Sequence, residues 1–145
     1  MDREEHYRKL ENMYLNEAAI NQFYQPNIRV SDGIAQVEIK SDPKYFHSAN
    51  AVHGSVYFKL LDDAAFFAVN SLVTDFFVLT SSFNLYFMRP VVYGQLRAEG
   101  KVVSQGRKSF IAEAVLYNEQ NKEIARGSGN FVKSTTPLDE HVGYL

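Results

Sequence analysis

The residues with the most chemistry to offer lie in one short stretch, "HGSVYFKLLDDAAFFA", residues 53–68. It opens on His53-Gly54-Ser55 and carries Asp62 and Asp63 side by side, with Asp62 nine positions after the histidine. A carboxylate can accept a proton or attack an electrophilic carbon. A residue without a side chain followed by a capping type, at a helix start, leaves backbone N–H groups facing outward, where they can stabilise a developing oxyanion.

The helix that both groups share must position them. At about 100° per residue, Ser55, Lys59, Asp62, Asp63, Phe66 and Asn70 fall in one stripe. Tyr57, Leu60, Leu61, Ala64, Ala65, Ala68 and Leu72 cover the opposite side. Two readings of the stripe follow. It can simply meet solvent, with Lys59 and Asp63 as an i,i+4 pair of small energetic value, or it can be a working face.

The rest of the chain must build a scaffold around that helix. With 145 residues it fits one domain of ordinary size, able to bury a core without disulfides or a structural metal. The helical front reads from Tyr7, Leu10, Met13, Tyr14 and Ala18, spaced by three and four, which predicts an amphipathic helix over about 3–20. Pro26 ends it. "NIRVSDGIAQVEIK" then sets Asp32-Gly33 between two β-rich runs, a hairpin signal, and in the second run Ala35, Val37 and Ile39 share a face opposite Ile34, Gln36, Glu38 and Lys40. "SDPKYFHSAN" is a polar loop leading into the central helix.

Four further β-type runs follow, separated by Pro90 to Gly94, Gly106-Arg107 and Asn118 to Lys122. Connections this short favour antiparallel neighbours. The expectation is an α+β fold of about six strands curved around one apolar helix. "TTPLDEHVGYL", residues 135–145, reads as a C-terminal tail.

Composition removes several classes of function. The 15 basic residues are scattered among 17 acidic ones for a net charge of −2, so a nucleic-acid partner is not expected. The absence of cysteine excludes disulfides, thiol nucleophiles and zinc-thiolate sites. The first residues carry no signal-peptide core, and the longest unbroken apolar run, Ala64 to Val69, is far short of a membrane span, so the expectation is a soluble cytoplasmic protein. There is no GxSxG elbow, Walker loop or HExxH site, and His47, His53, Asp62 and Asp63 match no standard metal-ligand spacing.

His53-Gly54, then Asp62, then Ala65 and Ala68, resembles the helix signature of the hotdog-fold acyl-CoA thioesterases of the phenylacetic-acid-degradation type. "LTSSFNLYFMRPV" resembles that family's next strand with its Arg-Pro exit. "VVSQGRKSFIAEAVLYNEQNKEIARGSGNF" resembles its last two strands, and "NEAAINQFYQP", more weakly, its N-terminal helix exit. The resemblance covers about residues 45–133.

It implies a helix wrapped by an antiparallel sheet, a homodimer whose two sheets join, often a dimer of dimers, and an active site between subunits. It implies an acyl-CoA thioester hydrolase with no cofactor, coenzyme A being part of the substrate. The Gly54 N–H would polarise the thioester oxygen, and Asp62 would serve as general base or nucleophile. Asp63, which does not hold the family's spacing from His53, reads as a solvent-facing or salt-bridging neighbour. Ser55 stands where the family commonly has a second glycine, and His47 where it has an asparagine that positions the thioester or water. His47 could donate that hydrogen bond or tune the carboxylate, Asn50 could take the place, or catalysis could be impaired.

His53 reads as fixing the helix entry. Thr80 and Ser81 lie near the position of a family hydroxyl that contacts water or substrate. Arg107 and Lys108, beside Gly106 at a turn, are the foremost candidates for the coenzyme A phosphates, ahead of Arg89 and Arg126. Phe66, Phe83, Tyr86 and Phe87 could line an acyl pocket. The alternative is a hotdog protein that binds acyl-CoA without turnover, as a sensor or structural partner. Hydration or dehydration of an acyl thioester on the same fold fits less well, because the His-plus-acid pairing of those enzymes is not matched.

Overall fold

A computed structural model describes all 145 residues. Its centre is α3 (Gly54–Asn70), the helix read from the 53–68 stretch. Six strands follow the expected order: β1 (Asn27–Ser31), β2 (Ile34–Lys40), β3 (Phe76–Phe87), β4 (Gln95–Gln105), β5 (Ser109–Tyr117) and β6 (Glu123–Pro137). They form one antiparallel sheet in the order β1-β2-β4-β5-β6-β3. Helix α3 packs against every one of them.

Small side chains let the sheet close on the helix. Ala35, Ala98, Ala112 and Ala114 of the sheet are fully or almost fully buried in one core with Ala64, Ala65 and Ala68 of α3. Gly100, paired with Ala35 and Ala114, comes so near that a Cβ there would run into the backbone of Ala64 and Ala65. Leu60, Leu61, Leu96, Leu116 and Phe131 complete the layer. The β1–β2 hairpin turns at Asp32-Gly33 with Gly33 at φ 69°, and β2 buries Ala35, Val37 and Ile39, as the alternation requires.

The polar stripe of α3 holds for Ser55, Lys59, Asp62, Asp63 and Phe66, none of which is fully buried. Asn70 departs from it. This side chain is completely buried, donating from Nδ2 to the carbonyls of Val73 (3.0 Å) and Phe76 (3.1 Å) and accepting from the Val78 N–H (3.1 Å). It satisfies the backbone of the turn leaving the helix, which a helical wheel does not see. Leu72 lies beyond the helix end and is only half-buried.

The front of the chain is not one helix over 3–20. Helix α1 (Arg3–Asn12) is capped by the Asp2 side chain, which accepts from the Glu5 N–H at 2.7 Å. Met13–Glu17 widens into a π turn, closed by the Ala18 N–H reaching the Met13 carbonyl at 3.3 Å. Ala18 is extended, and a short α2 (Ile20–Tyr24) follows. Tyr7, Leu10, Met13 and Tyr14 are buried as their spacing predicts.

The expected tail is also structured. β6 runs to Pro137, a 3-10 turn covers Glu140–Val142, and Tyr144 is buried. Its hydroxyl lies 2.6 Å from Nδ1 of His6, whose Nε2 lies 2.9 Å from the Asn70 carbonyl. The two termini are thus clasped over the end of α3. No helix is long and apolar enough to cross a membrane.

Candidate active site

The entry of α3 is built by His53. Its Nδ1 accepts from the Ser55 N–H at 3.0 Å and lies 2.8 Å from the Ser55 hydroxyl, while its carbonyl accepts from the Val56 N–H at 3.0 Å. Of the first three backbone donors, the Gly54 N–H alone is left uncommitted. His53 therefore shapes the helix start as expected, and Ser55 belongs to the cap.

Gly54 lines a cavity of about 410 Å³ together with His47, Tyr57, Phe87 and Arg89 among others. A Cβ on Gly54 would sit 3.0 Å from the Phe87 ring. Nδ1 of His47 accepts from the Ala49 N–H at 3.1 Å, which leaves Nε2 as the ring's N–H when the imidazole is neutral. Asn50 holds a left-handed turn at φ 63° and lines neither this cavity nor the larger one described next.

Asp62 opens into a different chamber, of about 530 Å³. Phe66, Phe67, Phe77 and Leu79 make it apolar. Thr80, on β3, donates to Asp62 Oδ1 at 2.8 Å. Burial pushes the Asp62 carboxyl up to about 6, with the Asp63 charge adding to the rise, while the Thr80 hydroxyl and the Lys59 ammonium pull against it. A carboxyl poised there is suited to exchange protons near neutral pH.

The far wall of this chamber comes from segments that the sequence placed in the scaffold rather than at the site. Met13, Tyr14, Ala18 and Ile20 contribute from the N-terminal region, and His141 and Val142 from the C-terminal turn. Asp63 is the salt-bridging neighbour expected, but more firmly held than a surface pair. Lys59 Nζ is 2.6 Å from its Oδ2, and the Tyr14 hydroxyl donates to the same oxygen at 2.6 Å. The signal for Tyr14 lay in the helical stripe, where an apolar reading of tyrosine hid its hydroxyl.

The remaining candidates are scattered. Ser81 donates to the Asn130 carbonyl at 3.0 Å in the irregular part of the β3–β6 pairing and does not line the chamber. Arg107 and Lys108 are exposed at the β4–β5 turn and line neither cavity. Of the four aromatic candidates, only Phe66 lines the chamber with Asp62. Phe87 lies against Gly54, Phe83 packs on Phe58, and Tyr86 is exposed.

Residues 49–125 match the thioesterase superfamily. The fold is similar to that of the Escherichia coli PaaI protein from the phenylacetic acid degradation operon, with a TM-score of 0.83 and 23% identity, covering 92% of this chain and 96% of that one. It is also similar to a phenylacetic acid degradation-related protein of Ralstonia eutropha JMP134, assigned as a thioesterase, with a TM-score of 0.78 and 20% identity over 88% and 98% of the two chains. In sequence, a Saccharolobus solfataricus protein assigned as an esterase is 22% identical over 104 residues, 72% of this chain and 69% of that protein. The chain belongs to the thioesterase superfamily, with the hotdog fold of its PaaI-like members.

Proposed function

We propose that this protein hydrolyses acyl-CoA thioesters at a site assembled from two copies of the chain. One observation carries the reading. Gly54 and Asp62 ride on one helix, separated by about 12 Å at 1.5 Å per residue, and line separate cavities. A carbonyl oxygen and its carbon are little more than 1 Å apart, so one protomer cannot offer both groups to one thioester. A second copy can supply the missing half.

Self-association finds support in β3. It is a free sheet edge of 12 residues, and Leu79, Tyr86 and Phe87 on it are exposed apolar side chains. A long unpaired strand of this kind is suited to pairing with its own copy.

In the composite site the thioester oxygen sits at Gly54 of one copy and its carbon beside Asp62 of the other. Asp62 takes a proton from water as the water oxygen bonds to the carbon and the carbonyl pair moves onto oxygen, where the Gly54 N–H holds it. Collapse breaks the C–S bond, and the leaving thiolate takes the proton back from Asp62. Thr80 keeps one Asp62 oxygen fixed so that the other faces the water. The reaction needs no metal or cofactor, and coenzyme A leaves as product.

The test is hydrolysis of a panel of acyl-CoA esters by wild type and Asp62→Asn, with binding of a non-hydrolysable acyl-CoA analogue measured in parallel. Loss of about 10²- to 10⁴-fold in kcat with binding retained is expected. Binding without turnover by the wild type would replace the enzyme with an acyl-CoA-binding protein, and absence of both would end the reading.

A further inference from the structure

Asp63 has no part in the hydrolysis as written, yet it is among the most strongly held side chains in the molecule. Its Oδ2 receives both the Lys59 ammonium and the Tyr14 hydroxyl, each at 2.6 Å. Lys59 is itself enclosed, its Nζ lying 5.3 Å from the Tyr14 ring centroid and 5.1 Å from that of Tyr24. The side chains of Lys59 and Asp63 are only 12% and 18% exposed, so this pair is largely out of solvent and its field on neighbours is poorly screened.

Tyr14 reaches Asp63 from the π turn, a distortion that inserts a residue into the helical ladder and recurs at functional sites. The turn is braced by Asn21, whose Nδ2 donates to the Tyr14 carbonyl at 2.8 Å. Asn12 and Met13 keep α-helical dihedrals, with φ −61° and −56°, so Tyr14 stays on the buried stripe of Tyr7 and Leu10 and meets Asp63 from there.

We propose that Asp63 is a positioning residue for the reaction: the Tyr14–Asp63–Lys59 clamp fixes a second carboxylate beside Asp62 and ties the N-terminal wall of the chamber to the helix turn that carries the reacting group. This rests on the hydrolase reading above for its catalytic meaning. The clamp holds a negative and a positive charge in set places next to Asp62. The other ionisable groups around the same chamber are Glu17 on the π turn and His141 on the C-terminal turn, and β3 presents only the Thr80 hydroxyl.

Two substitutions separate this role from structural support. Asp63→Asn removes the carboxylate and leaves the Lys59 ammonium uncompensated, so Asp62 ionises more readily and the acid limb of the kcat/KM profile moves to lower pH. Lys59→Met keeps the stem and removes the cation, leaving two carboxylates together, so the same limb moves to higher pH. Simple damage to the fold cannot move the limb in opposite directions.

The experiment is the pH profile of both variants on one acyl-CoA ester, with carbon-13 NMR titration of the Asp62 carboxyl in labelled protein, assigned by its loss in Asp62→Asn. Opposed shifts in both readouts support the positioning role. Lower activity or stability with the limb and the carboxyl titration unmoved, or both variants moving together, would overturn it. If the wild type turns over no acyl-CoA, the function reading fails, and the carboxyl titration alone still decides by the same opposed or unopposed shifts.

Discussion

Gly54 and Asp62 share a helix but not a cavity: the first residue lines one hollow and the second another. In the hydrolase proposed above, the oxyanion donor and the base of each reaction centre come from different copies. Mixing Asp62→Asn with Gly54→Pro subunits tests this directly. A hybrid dimer carries one doubly defective and one intact centre, so random mixing of two inactive proteins should restore about a quarter of wild-type activity. Centres contained within single protomers would give no recovery.

Gly54→Pro also isolates the donor. Position 54 is the first residue of α3, where proline is well tolerated, and His53 before it already has φ −64° and ψ 144°, the region a following proline demands. The substitution deletes the N–H without breaking the helix. Gly54→Ala adds a comparable Cβ against the Phe87 ring and keeps the N–H, so it controls for crowding. We expect kcat to fall by about 10²- to 10³-fold in Gly54→Pro and much less in Gly54→Ala, with circular dichroism unchanged in both.

Gly100→Ala should damage the site from outside it. The added Cβ meets the Ala64 and Ala65 backbone, one residue past the aspartates, and backbone cannot rotate aside as a side chain can. Either the sheet or α3 must shift. A stability loss of about 1–3 kcal/mol in urea unfolding is expected, with a drop in activity larger than that of Gly54→Ala.

Much of this arrangement was legible because it rests on local rules. Asp32-Gly33 announced its hairpin, alternation fixed which face of β2 is buried, and the helical period put Lys59, Asp62 and Asp63 on one side of α3. What escaped reading depends on partners distant in the chain. The break at Ala18 follows from a π turn with no glycine or proline to mark it. Asn70 looked like a stripe residue because its hydrogen-bond partners belong to the following turn and strand. Residues 135–145 looked loose because Tyr144 finds its partner at His6, at the other end of the sequence.

The burial of His6 gives the clasp a pH dependence. Burial pushes the His6 imidazole below its ordinary 6.5, so the folded protein keeps it neutral. As pH falls below 6.5 the unfolded chain binds a proton that the folded one resists. The stability tied to His6 is therefore present above 6.5 and lost as pH falls toward the folded value. Replacing His6 with glutamine should flatten this part of the stability profile between pH 7 and 5, measured by urea unfolding against wild type. An unchanged slope would place the titration elsewhere.

Asp62 acts in the opposite sense. Its folded carboxyl titrates at about 6 against an ordinary 3.8, so between those values the folded state holds a proton the unfolded state has released. Stability falls as pH rises through that window, and above it the ionised carboxylate costs roughly 2–3 kcal/mol. Asp62→Asn preserves an acceptor for Thr80 and removes the charge. The variant should gain stability over wild type at pH 8, where the carboxylate is ionised in both states, and gain little at pH 4, where the native carboxyl is already neutral. Matched thermal unfolding at the two pH values measures the difference. A destabilised Asp62→Asn at pH 8 would mean that the charge is welcomed rather than endured at this position, and that its placement needs no catalytic explanation.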